Sequence, residues 1–122
     1  MEPVGLIGLG NMGLPVARRL RGLGRELLAF DVSAARVAEA RALGAAIAAS
    51  AREVAQGCEV VLLSLPTPAV VRQVVPQVAE GASGKLCVID LSTNDPATAR
   101  EMADLVTRAG GRYIDAPVSG GP

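Results

Sequence analysis

The stretch Val4-Gly5-Leu6-Ile7-Gly8-Leu9-Gly10-Asn11-Met12-Gly13 decides the fold. An apolar run from Val4 to Ile7 closes on glycines, and an apolar-periodic stretch opens at Met12. A second apolar run, Leu27-Leu28-Ala29-Phe30, ends at Asp31, eighteen residues after Gly13. Strand, glycine turn, helix, strand and acid is the layout of a unit that holds a dinucleotide. Each part has its own physical task. Gly8 permits the tight turn. Gly10 has no Cβ, so the backbone there can approach a pyrophosphate. Gly13 lets the helix lie close on the strand. The helix start offers N–H groups and the positive end of a dipole to phosphate oxygens. Pro15 falls in the first turn, where no intrahelical donor is lost. Gly8, Leu9, Gly10, Asn11, Met12 and Gly13 are therefore candidate cofactor contacts.

Outward from this unit the chain alternates strand and helix patterns. Strands are expected at 3–8, 26–31, 45–48, 58–64, 85–91 and 111–115, and helices at 12–23, 33–43, 51–56, 68–79 and 96–109. The runs from Cys58 to Ser64 and from Lys85 to Leu91 are almost continuously apolar, as in strands covered on both faces. Val70, Val71, Val74, Val75 and Val78 form one helical stripe, and Met102, Leu105, Val106 and Ala109 form another. Thr67 before Pro68 and Asp95 before Pro96 mark helix starts, and Ser50 with Glu53 makes a capping box. Gly24, Gly44 and Gly57 stand where helices should end. The expected class is α/β: a doubly wound parallel sheet of the Rossmann type in three layers, with residues 1–115 as the dinucleotide-binding domain.

Composition narrows the classes. Hydrophobic residues make up 50% of the 122, yet Phe30 and Tyr113 are the only aromatics, so the core must be aliphatic and alanine-rich. Acidic and basic residues cancel at 12 each, which gives nucleic-acid binding no support. The chain has no histidine, and Cys58 and Cys87 form no disulfide framework. Buried free thiols fit a reducing cytoplasm, the expected location. The N-terminus reaches its glycine turn after a few apolar residues, unlike a signal peptide, and no apolar stretch approaches the ~20 residues that cross a bilayer.

Asp31 has two readings. Its carboxylate can accept hydrogen bonds from both hydroxyls of the adenosine ribose and repel a 2′-phosphate, which selects NAD over NADP. Alternatively it serves the helix after Ser33, although Ser33 can cap that helix itself. No arginine lies between Phe30 and Ser33, and Arg36 further on is read as a solvated helix residue. Arg18, Arg19, Arg21 and Arg25 are likewise read as a solvated face rather than a phosphate clamp. The loops Ser64-Leu65-Pro66-Thr67 and Ser92-Thr93-Asn94-Asp95 follow two strands. They should lie beyond the carboxyl edge of the sheet, where a nicotinamide ring would rest.

Four motifs together, the glycine turn at 8–13, Leu65-Pro66-Thr67, Asp90-Leu91-Ser92-Thr93-Asn94-Asp95-Pro96 and Asp115-Ala116-Pro117-Val118-Ser119-Gly120-Gly121, resemble the β-hydroxyacid dehydrogenase family, and within it the branch acting on 3-hydroxyisobutyrate. The stretch Asp90–Thr93 departs from the 6-phosphogluconate dehydrogenase pattern, which is the weaker match. The resemblance implies an oxidoreductase that takes a small 3-hydroxy acid to its semialdehyde. Leu65, Pro66 and Thr93 would touch the cofactor, and Ser119, Gly120 and Gly121 would hold the substrate carboxylate. Residues 116–122 then form a substrate-binding segment and the start of an interdomain linker. The family transfers its proton with a lysine well downstream of the Ser-Gly-Gly segment, a position that would fall beyond Pro122. No catalytic residue is therefore expected among residues 1–122. The only lysine here, Lys85, is expected at the wrong end of a strand. The chain is thus read as the cofactor half of an enzyme, inactive alone, lacking the helical second domain and exposing apolar, self-associating surface near its last strand. The expected partners are a small hydroxy acid and, in the complete enzyme, further copies of itself. The alternatives are an NADP-dependent semialdehyde reductase of the same family and a non-catalytic module that senses dinucleotides or supports a protein contact.

Overall fold

The computed structural model describes residues 2–118 and holds six strands and five helices. They follow in the order β1 (Val4–Ile7), α1 (Gly13–Gly22), β2 (Leu27–Phe30), α2 (Ala34–Ala42), β3 (Ala46–Ile47), α3 (Ala51–Gly57), β4 (Val60–Leu63), α4 (Pro68–Glu80), β5 (Cys87–Asp90), α5 (Pro96–Arg108) and β6 (Arg112–Asp115). Every segment expected from the periodicity forms; most ends are trimmed by one or two residues, while α3 and α4 each run one residue further than expected. Ser33, Ser50, Thr67 and Asp95 all cap their helices, each side chain accepting from a backbone N–H three residues on. The box at Ser50 closes differently from its usual form. The Glu53 carboxylate accepts from the Ala49 N–H at 3.2 Å, one residue before the cap. Gly24 and Gly44 follow helix ends with φ of +79° and +92°, where a side chain would be strained. Gly57 is instead the last residue of α3.

The strands pair in parallel throughout, in the order β3-β2-β1-β4-β5-β6. The chain builds outward from β1 to β3, then returns to the other side of β1 to lay down β4. The sheet's strand order therefore reverses between β1 and β4, and a crevice opens there beyond the carboxyl ends. Alternation along the strands divides the core in two. Val4 and Leu6 of β1, with Leu27 and Ala29 of β2, pack with Ala17 of α1 and Ala40 of α2 on one face. Ile7, Val61, Leu63 and Val88 pack with Val54, Val71, Val75, Met102 and Val106 on the other, under α3, α4 and α5. Small side chains dominate both faces, which lets the helices approach the sheet closely. Cys58 is buried in the larger cluster, and burial pushes its thiol up to about 11. No helix among the described residues is long and apolar enough to cross a membrane.

Arg21 corrects the picture of a purely solvated basic face. Its guanidinium donates to the carbonyls of Leu43 (3.1 Å) and Arg25 (2.8 Å), tying the end of α1 to the end of α2. Arg18 and Arg19 are exposed, as expected.

Candidate dinucleotide site

At the carboxyl end of β1 the chain turns through Gly8, whose φ is +101°. A Cβ there would overlap the Ser64 carbonyl at the end of β4, so only glycine fits. A Cβ on Gly13 would overlap the Gly8 carbonyl oxygen, so α1 can start this close to β1 only without a side chain. Gly10 differs. Among the described residues, a Cβ on it would meet no atom within 4 Å. No described neighbour demands a glycine at that position, whereas a ligand lying against the backbone would.

The start of α1 stands apart in a second way. Its N-cap, Met12, makes no side-chain hydrogen bond, whereas a serine, threonine or aspartate side chain closes each of the other four helices. Its first turn contains no acid. A helix start left open by side chains and free of negative charge suits a diphosphate.

A cleft of about 510 Å³ opens over this turn. Gly8, Gly10, Asn11 and Met12 line its middle, Asp31, Val32, Ser33 and Arg36 one end, and Ser64, Leu65 and Pro66 the side towards β4. Ile7, Phe30, Val70 and Val74 give it apolar walls. Asp31 sits just past β2, and both of its carboxylate oxygens are engaged. One accepts from the Leu9 N–H at 2.6 Å, the other from the Ser33 N–H at 2.8 Å. The acid thus clamps the glycine turn to the end of β2, while each oxygen keeps lone-pair capacity for a ribose hydroxyl. Ser33 supplies the helix cap, so the capping alternative for Asp31 is not needed.

Other residues take places of their own. Leu9 is fully buried in the core, and its N–H is occupied by Asp31, so it steadies the turn rather than lining the cleft. Gly13 likewise acts through packing. Thr93 is exposed on the loop after β5 and is not among the residues lining the cleft. Lys85 is exposed just before β5, at the sheet edge opposite the cleft. Ser119, Gly120 and Gly121, expected to hold the substrate, lie outside the described residues, and so does Pro122, beyond which the catalytic lysine was expected. Arg36 corrects its reading as a solvated residue: it is half-buried and faces the same end of the cleft as Asp31. Arg36 lies in the first turn of α2, five residues after Asp31, outside the segment Phe30–Ser33 that carries no arginine.

Behind the β4 side the motif residues Asp90, Ser92 and Asn94 join Tyr113 in a polar cluster that their spacing does not disclose. Asp90, the last residue of β5, is fully buried. It accepts from the Ser92 N–H (2.9 Å), the Asn94 side-chain amide (2.9 Å) and the Tyr113 hydroxyl. Burial, the hydrogen bond to Asp90 and the charge of Asp90 all raise the Tyr113 hydroxyl above its ordinary value, so it stays protonated as a donor. Burial and the charge of Asp90 also raise Asp115, its cross-strand neighbour. Ser92, itself buried, accepts from the Leu65 N–H at 2.8 Å through its hydroxyl.

A family model described as the NAD binding domain of 6-phosphogluconate dehydrogenase matches residues 3–122. The chain belongs to that family. It is an NAD(P)-binding domain of the dehydrogenase kind, and its reported relatives are 3-hydroxyisobutyrate dehydrogenases. The mitochondrial enzyme of Mus musculus is 38% identical over 126 residues, a match covering 98% of this chain and 36% of that protein. The structure of Mycobacterium tuberculosis 3-hydroxyisobutyrate dehydrogenase with L-serine superposes with a TM-score of 0.93 at 38% identity, covering 99% of this chain and 42% of that one. Psf3 in complex with NADP+ and 2-OPP follows at 28% identity and a TM-score of 0.88, covering 97% and 43%. The chain therefore spans well under half the length of each of these matched proteins.

Proposed function

We propose that the cleft holds NAD, and that the domain serves an oxidoreductase which converts a small 3-hydroxy acid of the 3-hydroxyisobutyrate type to its semialdehyde. The observation that carries the cofactor choice is Asp31. Its carboxylate is fixed at the lip of the cleft by two backbone N–H groups, in position to accept from both ribose hydroxyls and to oppose a 2′-phosphate. The backbone at Gly10 and the open start of α1 would take the diphosphate. Leu65 and Pro66, with Thr93 beyond them, would flank the nicotinamide end. A bound nicotinamide supplies the hydride acceptor. The domain's residues orient it and keep it against the sheet edge.

The substrate class rests on the relatives' names. L-serine, present in the M. tuberculosis structure, also carries a hydroxyl β to a carboxylate. Ser119, Gly120 and Gly121 would hold that carboxylate through a hydroxyl and converging N–H groups. Proton transfer would fall to a lysine beyond Pro122, since Lys85 stands at the far edge of the sheet. The free thiols argue for a reducing compartment and do not separate the cytoplasm from the mitochondrion named for the mouse relative.

Arg36 favours a second reading, acceptance of NADP, because it brings a guanidinium to the same end of the cleft. Titrating the chain with NADH and NADPH and following their own fluorescence separates the two. NADH should bind at least roughly tenfold more tightly, and Asp31→Asn should narrow the gap. Tighter binding of NADPH by the unaltered chain would refute the role of Asp31.

A further inference from the structure

The β4–α4 loop lines the cleft on the side proposed for the nicotinamide, the β5–α5 loop stands behind it, and among the described residues no backbone ladder joins their tips. The β4–α4 loop runs from Ser64 to Thr67, and the β5–α5 loop from Leu91 to Asp95. Parallel pairing carries the strands as far as Leu63 and Asp90, and one further bond, Leu91 N–H to the Leu63 carbonyl at 2.9 Å, closes the ladder. Beyond that point the link is made by side chains. The Leu65 N–H donates to the Ser92 hydroxyl, the Ser92 N–H donates to the Asp90 carboxylate, and the Asn94 amide donates to the other carboxylate oxygen. Tyr113 of β6 supplies a third donor to that second oxygen.

We propose that Asp90 is a positioning residue for the cofactor: through Ser92 it sets the Leu65 amide and so shapes the wall that meets the nicotinamide end of the dinucleotide. The inference rests on the cofactor placement proposed above. Its physical basis is the cost of the arrangement. A fully buried carboxylate is retained where an apolar residue would suit the sheet end, and three donors converge to satisfy it. Asp90's own bonds hold its loop, through Ser92 and Asn94, to Tyr113 of β6, and the Ser92 hydroxyl so fixed makes the link to the β4–α4 loop. Asp90 itself is absent from the cleft lining, so it acts through Ser92 and Leu65 and touches no ligand.

The ends of the dinucleotide allow a selective test. ADP fills the adenosine and diphosphate regions alone, whereas NADH also reaches the Leu65 wall. Calorimetric titration of the unaltered chain, Asp90→Asn, Ser92→Ala and Ser92→Thr with each ligand separates the two regions. For Asp90→Asn and Ser92→Ala, NADH affinity should fall roughly five- to tenfold while ADP affinity stays within about twofold. Ser92→Thr keeps the hydroxyl and should restore most of the NADH affinity. If Asp90→Asn does not fold, Ser92→Ala carries the test, since it removes one loop hydroxyl and leaves the carboxylate in place. Equal loss for NADH and ADP would reveal a merely structural role and overturn the inference, as would unchanged NADH binding in both variants. An unaltered chain that binds neither ligand would remove the cofactor site itself and this inference with it.

Discussion

The glycines of the turn separate ligand from scaffold at the level of single residues. Gly8 and Gly13 are demanded by the protein, because a Cβ on either would overlap backbone atoms. Gly10 is not, and its glycine fits an approaching diphosphate. Gly13→Ala should therefore destabilise the chain by about 2 kcal/mol or more, seen as a lower urea midpoint. Gly10→Ala should leave the midpoint nearly unchanged and weaken NADH binding at least roughly tenfold. Equal destabilisation by the two substitutions would contradict this division. Asp31 shows the same economy of position. It anchors the turn through Leu9 even before any ligand arrives, so Asp31→Ala should cost stability as well as affinity, unlike Gly10→Ala.

Among the elements, α4 combines strong and weak local signals. Thr67 caps it and Pro68 starts it, both favourable, while Val71, Val75 and Val78 bury one face against the sheet. Pro76 sits in its interior, where it removes one intrahelical donor and crowds the preceding turn. Packing of the valine stripe holds the helix together past that fault. Pro76→Ala should raise stability by roughly 1–2 kcal/mol, after allowance for the greater freedom of the unfolded chain. A lower urea midpoint for that variant would show that the proline fits a bend that packing requires.

For the molecule as a whole, the sheet has two edges of unequal kind. β3 is two residues long and offers little to a partner strand. β6 is four residues long, pairs among the described residues only with β5, and exposes Ile114, with Val118 exposed just beyond it. An open edge beside apolar side chains favours pairing with another chain. Sedimentation velocity should show association that grows with concentration, and Ile114→Lys should suppress it. A species that stays monomeric at high concentration, with or without the substitution, would rule this out.

The order of elements, the caps at Ser33, Ser50, Thr67 and Asp95, and the glycine turn with its acid were all legible in the chain, because each is a local choice. Period-two and helical spacing, a hydroxyl before a helix and a residue without Cβ act within a few positions of themselves, and the acid is reached through the fixed length of one strand-turn-helix-strand unit. Tertiary structure decided what depends on distant segments meeting. It brought Arg36 into the cleft, made Arg21 a tie between two helix ends, withdrew Leu9 into the core, and buried Asp90 beneath Tyr113 and Ser92. The bonds from Leu65 to Ser92 and from Tyr113 to Asp90 join residues more than twenty positions apart, and no spacing rule reaches across those neighbouring strands.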